Sequence, residues 1–247
     1  MENLAARAAR AAGSLRRARK GDEGASAAVY AAIRTALLSG QIPPGQKLQE
    51  PAIARALGVS RERVRRALHR LAHEGWVKLV PNRGAFLRVP SLAEIEEISE
   101  ARRIVESATV GMLATRHDRG AIARLRRHVA SEATARTKGQ RAAQISLSAS
   151  FHLLISELTG NQTLFRFQHE SMTASQLFYA LHSPIELPRC GGPAEHPAIV
   201  DAIAAHDPPL AVKLMENHLR DILSHLRRPA AATEFAGFDT VLDRLDR

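Results

Sequence analysis

Residues 56–89 read ALGVSRERVRRALHRLAHEGWVKLVPNRGAFLRV, and the fold of the front of the chain turns on them. Gly58 breaks one helical pattern, and Ser60 stands where a side-chain oxygen can cap the next. From there Val64, Ala67, Leu68 and Leu71 recur at three- and four-residue steps, on one arc of about 100°. Arg63, Arg66, His69, Arg70 and His73 take the opposite side, with Arg61 and Arg65 on the flank. After Gly75 the period changes. Trp76–Val80 and Ala85–Val89 are short strand-like runs around the turn Pro81-Asn82-Arg83-Gly84.

Upstream, Val29, Tyr30, Ile33, Ala36 and Leu37 keep helical spacing from a cap at Ser26 to a stop at Gly40. Pro43-Pro44-Gly45 makes a stiff turn, and Ile53, Ala54 and Leu57 mark a short second helix. Helix, helix, tight turn, cationic helix and hairpin make a winged helix-turn-helix over residues 25–90, with 60–74 as the reading helix. Arginines on one amphipathic helix usually mark only a solvated face. Here five arginines fall within residues 61–70, with Glu62 the single acid there, and a basic wing follows.

The charge of the 247-residue chain, +10 overall, is distributed to match. Residues 25–90 hold eleven Lys/Arg against three Asp/Glu, residues 1–24 six against three, and residues 91–247 eighteen against nineteen. A basic front and a near-neutral body point to a polyanion partner for the front, nucleic acid before membrane. One cysteine, Cys190, excludes a disulfide framework or a Cys-rich zinc finger. No run approaches the roughly 18 apolar residues of a membrane span. The Arg/Ala-rich start lacks the apolar core of a secretory signal, so residues 1–24 read as a flexible basic arm in a cytoplasmic protein.

Residues 91–228 read as helices almost throughout. A capping box at Ser91 and Glu94 opens the first, Asp118 the second, and Gln140–Thr159 the third. A fourth spans 162–182, a Pro/Gly-rich loop covers 183–193, a fifth covers 195–205, and Asp207-Pro208-Pro209 starts the sixth. Residues 229–247 form a tail with a possible short helix through Phe235, Phe238, Val241, Leu242 and Leu245. The expected fold class is mainly α: an N-terminal winged helix-turn-helix, then an all-helical six-helix antiparallel bundle.

Nine of the eleven histidines lie in that body. His117, His128, His169, His182, His206 and His225 read as surface or satisfied core residues. His152, His196 and His218 sit on three separate helices among apolar neighbours, and their convergence would allow a divalent metal with open positions. Spacing alone carries this only weakly, because no HExxH-like ligand motif is present. A metal-dependent hydrolase using the three histidines is the rival reading. It offers only Glu195 as a nearby carboxylate and leaves the winged helix without a role. A third reading, an architectural DNA binder without ligand, predicts a fully packed bundle core.

The stretch Val29–Val89, with SGQIPPGQKLQE, ALGVSRERVRRAL, LAHEGWV and PNRGAFL, resembles the GntR family of bacterial transcription regulators. The resemblance implies a homodimer on a pseudo-palindromic double-stranded DNA operator. It implies contacts from Ser60, Arg61, Arg63 and Arg65 at the start of the reading helix and from Arg83-Gly84 at the wing tip. Arg66, on the cationic side, joins them. Pro51 stands where many FadR-type members carry an arginine, and Arg63 and Arg66 replace their common Pro and Glu.

SFHLLISELTGN and EHPAIVDAIAAHDPPLAVKLMENHLRDI resemble the FCD effector domain of the FadR-type subgroup. That resemblance implies His152, His196 and His218 as metal ligands (zinc first, nickel or manganese as alternatives) and a small carboxylate effector relieving repression. An Asp usually precedes the first histidine by one turn. Here the position is Ser148, which leaves room for water or an effector carboxylate, or for a pocket without metal. Arg102 matches a family arginine facing the effector, and equally forms an i,i+4 pair with Glu106. The implied function is regulatory, not enzymatic.

Overall fold

The computed structural model describes residues 22–40, 42–116, 118–182 and 194–226. Residues 1–21 of the N-terminal arm, the C-terminal tail, His117, Cys190 and the loop over 183–193 lie outside them, as does the side chain of His225, whereas residues 22–24, expected in the arm, are helical. The chain divides into two compact units at Val89 and Pro90.

In the first unit α1 spans Asp22–Leu38, β1 Lys47–Leu48, α2 Glu50–Ala56, α3 Arg61–His73, β2 Val77–Val80 and β3 Gly84–Leu87. Helix α1 begins four residues before the expected cap, so Ser26 lies inside it. Alanines through this stretch favour helix continuation over a stop. Ser60 caps α3 by accepting from the Arg63 N–H at 3.4 Å. Gly58 and Gly75, which bracket that helix, adopt φ of +62° and +80°, where a Cβ is strained. The sheet order is β1-β3-β2, antiparallel, with Lys47 opposite Phe86 and Val80 opposite Gly84. Val29, Ile33, Leu37, Ile53, Val64 and Leu71 are fully buried between the helices.

A polar cluster ties α1 to α3. The Tyr30 hydroxyl donates to Glu74, Arg70 pairs with Glu74 at 2.9 Å, and its guanidinium lies 4.1 Å over the Tyr30 ring. Burial by itself would raise the Glu74 carboxyl, but bonds from Tyr30, Arg70 and Trp76 outweigh it and hold the group below its ordinary value. A depressed carboxyl contributes stability that is complete above the unfolded pKa and is lost as pH falls through the folded one. Glu74→Gln is therefore expected to lower the melting temperature of this unit at pH 7, with the gap to wild type closing as the pH drops below 4. Trp76, the chain's single tryptophan, is 3% exposed, so its fluorescence reports that melt.

The second unit contains α4 Leu92–Arg116, α5 Arg119–Thr137, α6 Arg141–Leu158, α7 Gln162–His182, α8 Glu195–Ala204 and α9 Pro208–Leu226. The Ser91 hydroxyl accepts from the Glu94 N–H at 3.1 Å and Asp118 from the Ala121 N–H at 2.6 Å, so both caps anticipated from the sequence form. Helix α4 packs on α6, α7, α8 and most extensively on α9, while α5 packs on α6 and α8. Residues Met172–Leu181 of α7 are buried on every side, as expected of an interior helix. Phe151, Leu125, Ile155, Ile199, Ala211 and Met215 form the centre of the core.

Candidate functional site

The outer face of the first unit is built by the two ends of one motif. Ser60, Arg61, Arg65, Arg66, Arg83 and Gly84 are exposed, and Arg63 is half-buried. They occupy the N-terminal part of α3 and the β2–β3 tip, where a helix and a wing reach DNA in this architecture. Asn82, with φ of 60°, and Gly84, with φ of 95°, turn the tip. Two features were not legible beforehand. Arg65 is held by Glu50 through a two-point fork, Nε to Oε1 at 3.2 Å and a terminal nitrogen to Oε2 at 3.0 Å. Lys47, on β1, brings its Cε within 3.6 Å of where a Cβ on Gly84 would lie, adding a cation beside the tip.

In the second unit three histidines from three helices meet. His218 Nε2 lies 3.2 Å from His196 Nε2 and 3.3 Å from His152 Nε2, and a donor atom of each lies within 4.8 Å of the others. All three side chains are buried. Phe151 stacks on His196 at 3.8 Å between ring centroids, and His152 stacks on His218 at 5.1 Å.

Each ring is backed by its own carboxylate. Glu106 on α4 lies 2.5 Å from His152 Nδ1, Glu132 on α5 2.7 Å from His196 Nδ1, and Glu195 on α8 2.6 Å from His218 Nδ1. A carboxylate at Nδ1 favours the proton there, which turns the Nε2 lone pair of each ring inward. Lone pairs facing one another at 3.2 and 3.3 Å repel unless a cation or proton lies between them. Ligand nitrogens about 2.0–2.1 Å from a tetrahedral zinc stand roughly 3.3–3.4 Å apart, close to these separations. The donor set fits a divalent ion of that size.

Arg102 forms the i,i+4 pair with Glu106. Its Nε donates to Glu106 Oε1 at 2.7 Å, with both side chains buried. It also lines a cavity of about 30 Å³ together with Ser148, Ala149, His152, Gln176 and Tyr179. Burial alone would raise the Glu106 carboxyl, but Arg102 and His152 hold it down at about 2. The lining of that cavity includes Arg102 and His152 but neither His196 nor His218. Glu195, the carboxylate on which the hydrolase reading drew, is engaged with His218. His128, expected to be an ordinary satisfied histidine, bonds the Leu147 carbonyl at 2.8 Å and approaches Glu132 at 3.4 Å. Burial would lower its pKa, yet these partners raise it.

Comparison with known proteins agrees with this division. The model of bacterial regulatory proteins of the gntR family matches residues 25–87, and the FCD domain model matches residues 97–221. An HTH-type transcriptional regulator of Agrobacterium vitis is 41% identical over 91 residues, 37% of this chain and 53% of that protein, so this match spans about half of the relative's length. The HTH-type transcriptional repressor RspR of Escherichia coli is 23% identical over 201 residues, covering 81% of this chain and 88% of its own. A solved structure described as a transcriptional regulator GntR from a Rhodococcus species superposes with a TM-score of 0.69 at 26% identity, over 81% of this chain and 96% of that one. With a winged helix ahead of a helical effector domain, and both family models matched in that order, the chain belongs to the GntR family of bacterial transcriptional regulators and carries the FCD domain.

Proposed function

We propose that the chain is a ligand-responsive repressor that binds a pseudo-palindromic operator as a homodimer and senses a small carboxylate at a divalent-metal site in its helical domain. The observation that carries this reading is the inward convergence of three Nε2 atoms, each ring fixed by a separate carboxylate, beside a cavity lined by Arg102 and Ser148. His152, His196 and His218 would hold the ion. Imidazole-only coordination suits zinc or nickel better than manganese, which favours oxygen. A divalent cation there supplies a Lewis-acid position for one carboxylate oxygen of the effector.

The chain's own residues account for selectivity. Glu106, Glu132 and Glu195 keep the imidazoles in the tautomer that faces inward. Arg102, braced by Glu106, presents a guanidinium suited to the second carboxylate oxygen. Three carboxylates, one guanidinium and one divalent cation balance in charge, whereas an aspartate at 148 would leave the site negative. Ser148 thus favours an anionic ligand. A cavity of about 30 Å³ holds little more than one or two waters, so an acid must displace its walls. That displacement supplies the differential affinity from which coupling of about 1–3 kcal/mol arises.

Two further points support the reading. The Escherichia coli relative is a repressor by name. Ile104 on α4 and Phe167 on α7 are 63% and 60% exposed, as apolar positions covered by a second copy would be. In an anisotropy assay, Arg102→Ala is expected to abolish release from DNA by small acids while leaving acid-free DNA affinity near that of wild type, since the DNA-reading face belongs to the other unit. Arg102→Lys, which keeps the charge but not the fork, should respond partially. An unchanged acid response in both variants would overturn this role.

A further inference from the structure

Two buried polar side chains of the helical domain take no part in the site described above. Gln168 on α7 is 2% exposed and Ser156 on α6 is fully buried. Neither the amide nitrogen and oxygen of Gln168 nor the hydroxyl of Ser156 has a hydrogen-bond partner among the described residues. Protein interiors hold few such groups, since a dry, unpaired amide is less favourable than an apolar side chain of the same shape.

Their placement supplies a cause. On α6, Ile145, Ser148, Ala149 and His152 line the cavity, and at 100° per residue Ser156 falls within the same arc, one turn beyond His152. On α7, Met172, Ser175, Gln176 and Tyr179 form the other wall, and Gln168 precedes Met172 by one turn within that arc. A connection of three residues, Thr159 to Asn161, joins the two helices, and they pack on one another, so they run antiparallel. The turn after His152 and the turn before Met172 therefore both lead toward that connection. By helical periodicity both unpaired groups fall toward the same end of the cavity, on the arcs whose other residues line it.

We propose that the effector pocket continues past His152 into a polar subsite formed by Ser156 and Gln168, which selects a carboxylate bearing a second, uncharged oxygen function at its far end. This rests on the carboxylate-pocket reading above. One helical turn places the subsite about 6 Å beyond His152 along α6, within reach of a hydroxyl or keto oxygen a few bonds from the carboxylate. An amide offers both donor and acceptor, and a serine hydroxyl does the same, so a hydroxyl or carbonyl oxygen pairs with them. A plain alkyl chain leaves them dry. A second carboxylate would meet no cation from either residue and would have to shed its water.

The test is calorimetric titration of pentanoate, 4-hydroxypentanoate and 4-oxopentanoate into the full chain, wild type and variant. Wild type is expected to bind at least one oxygenated acid about tenfold or more tighter than pentanoate, the scale of a hydrogen bond made in a dry interior. Gln168→Leu should shrink that preference below about threefold without weakening pentanoate, and Ser156→Ala should shrink it in part. The Leu variant should melt no lower than wild type, because it removes an unpaired buried amide. Equal binding of the three acids to wild type, or a preference that survives both substitutions, overturns the subsite and leaves the carboxylate pocket standing. No binding of any acid overturns both.

Discussion

His218→Ala is expected to strip the helical domain of the divalent ion proposed for it. His218 is the hub of the cluster, since its Nε2 is the atom that approaches both His196 and His152, at 3.2 and 3.3 Å. Its removal leaves two imidazoles and takes away the ring that Glu195 holds at 2.6 Å. Loss of a mere supporting partner of a metal ligand costs about 10–100-fold in affinity, so loss of a ligand should cost more. Metal analysis after dialysis against a chelator should fall from near one ion per chain to a trace. Thermal stabilisation by small carboxylic acids should vanish with it, because that stabilisation follows occupancy of the folded site. Acid-free DNA binding should persist, since α3 and the wing belong to the other unit. A variant that keeps wild-type metal content, or a wild type with neither metal nor acid response, would refute the sensor.

How far the sequence reached differs between the two units for physical reasons. Ser60, Gly58, Gly75 and the turn at Pro81–Gly84 act through local rules, capping and left-handed backbone, so α3 and the wing were legible to within a residue or two. Strand β1 was not, because Lys47 and Leu48 owe their extended form to pairing with Phe86 and Ala85, some forty residues away. The three histidines carried no ligand spacing; their apolar neighbours set them apart, and the family resemblance strengthened the grouping. Of their carboxylates, Glu195 is legible in the sequence as a neighbour and Glu106 only as a partner of Arg102, and Glu132 is missed, although a signal exists. Glu132 falls at helical spacing from Ile122, Leu125 and Val129, and Glu106 shares a face with Val110 and Leu113, residues that join the core. An acid placed on the apolar stripe of a helix is costly to bury without a partner. Reading acids against the stripe, as was done for the histidines, identifies both.

Arg65→Ala is expected to weaken binding to a DNA fragment selected by the wild-type chain about 10–100-fold, the 1–3 kcal/mol of a base or close phosphate contact. Glu50→Gln is expected to act the other way. The Arg65–Glu50 pair is largely solvated, with side chains 52% and 26% exposed, and such pairs contribute about 0–1 kcal/mol or less to stability. Its consequence lies instead in charge. Glu50 offsets one of the cations on a face that must approach phosphate, and Arg65 has to share its fork when it does so. Replacing Glu50 removes that negative charge, so affinity for any duplex should rise and fall more steeply with salt. The ratio of selected to random DNA should drop, because the added attraction carries no sequence information. Arg65→Ala alone leaves Glu50 facing phosphate without its partner, so the double variant should bind better than Arg65→Ala, a coupling that a double-mutant cycle measures. Should Glu50→Gln instead weaken selected DNA as much as Arg65→Ala, Glu50 acts by holding Arg65 in its reading geometry, and the charge argument fails.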